Sequence, residues 1–142
     1  MVSTSGSTLL PESATNAYLT HLLPYTTLLT PNIPEALLLS KLAGKEFCEL
    51  TLEKRHELGR FLISKTNVKW ILLKGGHEPI IQNGRKVVVD ILVNSKGESK
   101  EFISEFSSSK NTHGTGCTLA CSTLSFSKTD GSGYCGEYWF GI

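Results

Sequence analysis

Short apolar runs alternating with longer stretches of helical period constrain this chain more than any other feature. Thr26-Thr27-Leu28-Leu29 and Trp70-Ile71-Leu72-Leu73 are brief, continuous and apolar, as strands buried on both faces are. Pro34 suits the first turn of a helix that runs to about Ala43 and closes at Gly44. Residues 51–65 read as an amphipathic helix with Leu52, Leu58, Phe61 and Leu62 inward. Residues 12–23 read as an earlier helix with Pro11 near its start, a stripe of Ala14, Tyr18, Leu19, Leu22 and Leu23, and Pro24 as its end. Helix, strand, helix, strand predicts an α/β fold with a parallel sheet. Past residue 80 the pattern changes. Val87 to Val93 is rich in β-formers, Asn94-Ser95-Lys96-Gly97 is a turn, and Lys100 to Phe106 alternates, so a hairpin is expected there.

At 142 residues, 39% of them hydrophobic, the chain has room for one domain with a core of its own. Fourteen basic and 13 acidic residues leave a net charge of +1, too weak a field to argue for nucleic acid. The first residues carry no basic segment followed by an apolar one, so no signal peptide is expected. No apolar run approaches the length of a membrane span. Cys48, Cys117, Cys121 and Cys135 fit neither a zinc template nor a dense disulfide scaffold, and reduced thiols in a cytoplasmic protein are the expectation. His113, Cys117 and Cys121 stand four apart, but His113 falls in a glycine turn, which disfavours a shared metal.

That turn is Asn111-Thr112-His113-Gly114-Thr115-Gly116-Cys117-Thr118-Leu119, leading into an apparent helix start. Gly114 and Gly116 allow close backbone approach and positive φ. The amides of Gly114, Thr115, Gly116 and Cys117 can then converge at the positive end of a helix dipole, a place suited to phosphate. Cys117 sits at the rim, where a thiol pKa is lowered. The same residues also read as a loop that caps a helix, with Cys117 a small buried hydrophobe.

Asn32-Ile33-Pro34-Glu35 places an amide and a carboxylate on one face of a first helical turn. Glu35 can orient a metal-bound water there, or serve ordinary capping. Lys74-Gly75-Gly76-His77 follows a buried strand, and ligands of open α/β sheets bind at such carboxyl ends. Lys74 can reach a phosphate or simply lead out to solvent. His77 and His113 read as turn residues.

Four segments, in order, resemble the hydroxymethylpyrimidine and hydroxymethylpyrimidine-phosphate kinases of thiamine biosynthesis, members of the ribokinase-like fold. They are MVSTSGSTLL, LLPYTTLLTPNIPEALLL, WILLKGGH and NTHGTGCTLA, spanning residue 1 to about 120. The resemblance implies an α/β, ribokinase-like fold and ATP-dependent phosphoryl transfer to the pyrimidine or its phosphate. It implies that Cys117 accepts the proton of the attacking hydroxyl above an anion hole of Gly114, Thr115 and Gly116. It places Lys74, Asn32, Glu35 and Thr112 at the Mg–ATP site, with Glu35 holding Mg²⁺ through water. Val2 and Gly6 match the pyrimidine pocket. A pyridoxal-type kinase of the same fold is a weaker resemblance, since the cysteine of Gly-Thr-Gly-Cys marks the pyrimidine branch.

The resemblance starts part-way through the family domain, so a truncated domain over residues 1–120 is expected, without most of the pyrimidine pocket and with a sheet edge in need of a partner. Residues 121–142 differ from the family helix expected there. Glycines at 131, 133, 136 and 141 break an aromatic stretch, which reads as a divergent tail. Two expectations follow: a kinase acting on ATP and a small pyrimidine, or a non-catalytic remnant that self-associates or pairs with a full-length relative. Neither nucleic acid nor membrane is an expected partner.

Overall fold

The structure, a computed structural model, describes residues 17–48, 50–76 and 78–106. A π-helical turn at Tyr18–Leu22 runs directly into a 3-10 turn at Leu23–Tyr25. Strand β1 is Leu28–Leu29, helix α1 Ile33–Leu42, helix α2 Leu52–Thr66, and strand β2 Trp70–Leu73. Strands β3 (Ile80–Gln82), β4 (Arg85–Asn94) and β5 (Ser99–Glu105) complete the described elements.

Pro24 does not end the first helical segment. It occupies the opening of the 3-10 turn, where its missing N–H is not needed. Leu23 is fully buried, whereas Leu22, placed on the inner stripe by periodicity, is half exposed. The tighter and wider turns at 18–25 break the 3.6-residue period on which that stripe was read.

The α/β class holds. β1 pairs with β2 in parallel, Leu28 opposite Trp70 and Leu29 opposite Ile71, across a crossover that contains both helices. The other three pairings, β2–β4, β3–β4 and β4–β5, are antiparallel, so the described sheet is mixed where sequence predicted a parallel one. Connection length gives the reason. A parallel return needs a crossover of a dozen or more residues. Between β3 and β4 only Asn83 and Gly84 intervene, with φ 51° and 75°, the pair of positive angles of a two-residue hairpin turn. The β4–β5 hairpin forms as predicted. It turns at Asn94–Glu98, where the Asn94 Oδ1 accepts the amides of Lys96 and Glu98, each at 3.0 Å.

Strand β4 organises the core. Val87, Val89, Ile91 and Val93 alternate inward and are buried against α2, whose Leu58 and Leu62 are fully buried. Leu52 and Phe61, also expected inward, are partly buried against the same cluster. Helix and sheet meet closely at Gly59, where an added Cβ would come within 2.8 Å of Val93 Cγ2 and 3.2 Å of Leu73 Cδ1. Helix α1 closes as predicted, its last turn followed by Gly44 at φ 91°. Among the described residues β1 is one edge of the sheet and β5 another.

Candidate functional site

The parallel strands β1 and β2 end side by side, and the residues that follow them meet. Asn32 and Lys74 form a parallel bridge, and the Lys74 amide donates to the Pro31 carbonyl at 2.9 Å. The pairing therefore resumes three residues past β1 and one past β2, and brings the Asn-x-x-Glu turn against the lysine turn. Three of the residues singled out by sequence, Asn32, Glu35 and Lys74, share this carboxyl end, the place where open α/β sheets take ligands.

Asn32 caps α1. Its Oδ1 accepts the Glu35 amide at 2.8 Å, and the Asn32 amide donates to Glu35 Oε2 at 3.0 Å. Each residue satisfies a donor the other leaves open, a complete capping box. The ordinary reading of Asn-x-x-Glu is thus realised, and it also fixes the Glu35 carboxylate at the positive end of a ten-residue helix. Asn32→Ala is expected to cost about 1 kcal/mol, the usual worth of an N-cap. Thermal unfolding followed by circular dichroism checks this, and an unchanged midpoint would show that the cap carries no energy.

Asp90 joins the site without having been singled out by sequence. It lies on β4, half-buried, and its Oδ1 accepts the Gly75 amide at 2.7 Å. Burial raises its carboxyl pKa, against the lowering effects of the Gly75 N–H and the nearby Lys74 ammonium. Its one available signal was a lone acid in Val-Val-Val-Asp-Ile-Leu-Val, on the strand face opposite Val89 and Ile91. A folded-state pKa above the unfolded value gives a contribution that is full in acid and lost as pH rises through the raised pKa. Asp90→Asn keeps the size and the acceptor oxygen but cannot ionise. It is expected to match the parent in acid and to exceed it in stability at neutral pH, by urea denaturation; equal stability at both would remove the ionisation cost.

Gly75 is required by close approach. A Cβ there would fall on the Val89 carbonyl oxygen of β4. The Glu78 amide donates to the Gly75 carbonyl at 2.9 Å and closes the turn.

Thr112, His113, Gly114, Thr115, Gly116 and Cys117 lie outside the described residues, as do Val2, Gly6, His77 and the expected boundary at residue 120. Cys48 is a free, exposed thiol. Among the described residues no three His, Cys, Asp or Glu side chains cluster as an all-protein metal cage. The donors present are carboxylates, which suit a hard cation that keeps waters and is shared with phosphates. A surface depression of about 320 Å³ lies elsewhere, lined by Lys45, Glu46, Phe47, Cys48, Lys54 and Glu57. Hydrogen bonds from Lys45 and then Lys54 pull the exposed Glu57 carboxyl down to about 2, so its charges are already matched. No described helix is long and apolar enough to cross a membrane.

A capped helix and a lysine turn meet at the ends of two parallel strands, the end at which open α/β sheets take ligands. The profile of the phosphomethylpyrimidine kinase family matches residues 1–130, and the chain belongs to that family. It is 35% identical over 128 residues to the hydroxymethylpyrimidine/phosphomethylpyrimidine kinase THI20 of Saccharomyces cerevisiae, covering 88% of this chain and 22% of that protein. It is 36% identical over 124 residues to the hydroxymethylpyrimidine/phosphomethylpyrimidine kinase of Staphylococcus aureus strain Mu50, covering 84% of this chain and 40% of the relative. A Schizosaccharomyces pombe protein with a provisional name of the same kind is 38% identical over 133 residues, covering 89% of this chain and 24% of its own length. The chain thus spans about a fifth to two-fifths of the curated relatives it matches.

Proposed function

We propose that the chain handles the ATP side of a hydroxymethylpyrimidine or phosphomethylpyrimidine kinase reaction. The observation that carries this reading is the meeting of Asn32, Glu35 and Lys74 at the carboxyl ends of β1 and β2. Phosphoryl transfer needs positioning and charge neutralisation at the γ-phosphate more than covalent help. The Lys74 ammonium supplies a point charge, and the start of α1 a fixed dipole. Glu35, held by its cap, would carry Mg²⁺ through a water; bound there, the ion neutralises phosphate charge. In the reaction, the pyrimidine hydroxyl oxygen bonds to the γ-phosphorus as the bond to ADP breaks. By family resemblance the hydroxyl proton passes to Cys117, above amides of Gly114, Thr115 and Gly116, with Thr112 on the nucleotide side and Val2 and Gly6 toward the pyrimidine.

A second reading is a non-catalytic protein: the capping box accounts for Asn32 and Glu35 without any ligand.

Incubation of the purified chain with Mg–ATP and hydroxymethylpyrimidine or its monophosphate, read by mass spectrometry, separates the two. Product that disappears in Cys117→Ala supports the kinase. No product from a chain folded by circular dichroism supports the non-catalytic reading. On the first reading Lys74→Ala weakens Mg–ATP binding about tenfold to a hundredfold, the worth of a charged hydrogen bond. Equal calorimetric affinity in the two proteins would take Lys74 out of the site.

A further inference from the structure

The turn after β2 contains two adjacent glycines, the residues that lose most conformational freedom on ordering. A lysine that meets phosphate from such a turn needs the backbone held beforehand, because disorder there subtracts directly from affinity. Two side chains hold it from opposite ends. On one side the Asp90 carboxylate accepts the Gly75 amide at 2.7 Å. On the other, Arg55 Nη2 donates to the Glu78 carbonyl at 2.8 Å, while its Nε donates to the Leu50 carbonyl at 3.2 Å. Both clamps are charge-assisted and therefore stronger than neutral pairs.

Neither clamp is placed where stability alone would put it. Arg55 is 2% exposed, and its Nη1 has no hydrogen-bond partner among the described residues. Burial lowers its pKa, with the Glu78 charge opposing. Burial of the Asp90 carboxylate likewise disfavours its charge. Apolar replacements of similar volume are often neutral or stabilising at such sites.

We infer that Asp90 and Arg55 are positioning residues for Lys74, fixing the two ends of the Gly75–Glu78 turn and with it the direction in which Lys74 faces phosphate. The phosphate role rests on the kinase reading above; the clamp itself does not. Asp90 acts through the Gly75 amide. Arg55 acts through the Glu78 carbonyl, reaching from α2 across to the end of the turn.

The test uses the full ¹⁵N-labelled chain and two readouts: amide hydrogen exchange without ligand, and calorimetric affinity for Mg–ATP. Asp90→Ala is expected to speed exchange at Gly75 about tenfold or more, with Leu58 and Leu62 amides unaffected. It is expected to weaken Mg–ATP affinity by a similar factor, and Asp90→Asn, which keeps the acceptor oxygen, to restore both. Arg55→Lys, which keeps the charge but loses the fork, is expected to speed exchange at Glu78 with the same core amides unmoved. Unchanged Gly75 exchange in Asp90→Ala would overturn the clamp. So would an acceleration shared equally by Leu58 and Leu62, which marks a merely structural role. A parent chain that binds no Mg–ATP would overturn the kinase reading, and the exchange rates would still decide the clamp.

Discussion

Gly75→Ala is expected to destabilise the protein by about 3 kcal/mol, the upper end of what overpacking costs. The new methyl would land on the Val89 carbonyl oxygen, and the next nearest atoms are the Val89 carbon and nitrogen. All three belong to backbone, and β4 is pinned there by its pairing with β5. A side chain can rotate away from a clash; a paired strand cannot. The melting midpoint should fall by roughly ten degrees or more. Gly76→Ala is the control, because a Cβ on Gly76 meets nothing within 4 Å. If the two variants unfold at the same temperature, β2 and β4 are not held at the spacing described.

Leu62→Ala should cost a similar amount, about 3 kcal/mol, by loss of transfer energy and by the cavity left behind. Leu62 is fully buried in the cluster formed by α2, β2 and β4. The neighbouring Phe61 is only partly buried, over Phe47 at a ring separation of 6.0 Å. Urea denaturation of Leu62→Ala should show a lower midpoint with an unchanged slope. A loss below about 1 kcal/mol would mean that the cluster collapses around the cavity.

These two positions differ in how far sequence reveals them. Leu62 is readable, because one apolar stripe at helical spacing predicts one buried face. The strand Trp70–Leu73 is readable for the same kind of reason: a short apolar run bounded by lysine and glycine has little else it can be. The role of Gly75 as a contact point is not, since the atom it avoids belongs to a strand met later in the chain. Asn83-Gly84 is legible as well, since that dipeptide is a strong hairpin signal that indicates β3 and the antiparallel turn of the sheet. Arg55 leaves no local signal, because an arginine in an amphipathic helix reads as a solvent-facing residue until its partners are known. Of the candidate site, Asn32, Glu35 and Lys74 are legible from their junctions between strand and helix or turn. Asp90 is not, because its partner is the backbone of Gly75.

The parallel pairing of β1 with β2 also has a kinetic side. The hairpins β3–β4 and β4–β5 join neighbours in sequence and close small loops. The β1–β2 pair joins Leu28 to Trp70, with both helices between them. Loop closure on that scale loses entropy before any contact offsets it, so such a pair forms late and opens early. Asn32 and Lys74 meet only because that pair is made. The two halves of the candidate site therefore meet through the described strand pairing that closes the longest loop, and nucleotide that bound both would act as a pin on that pairing.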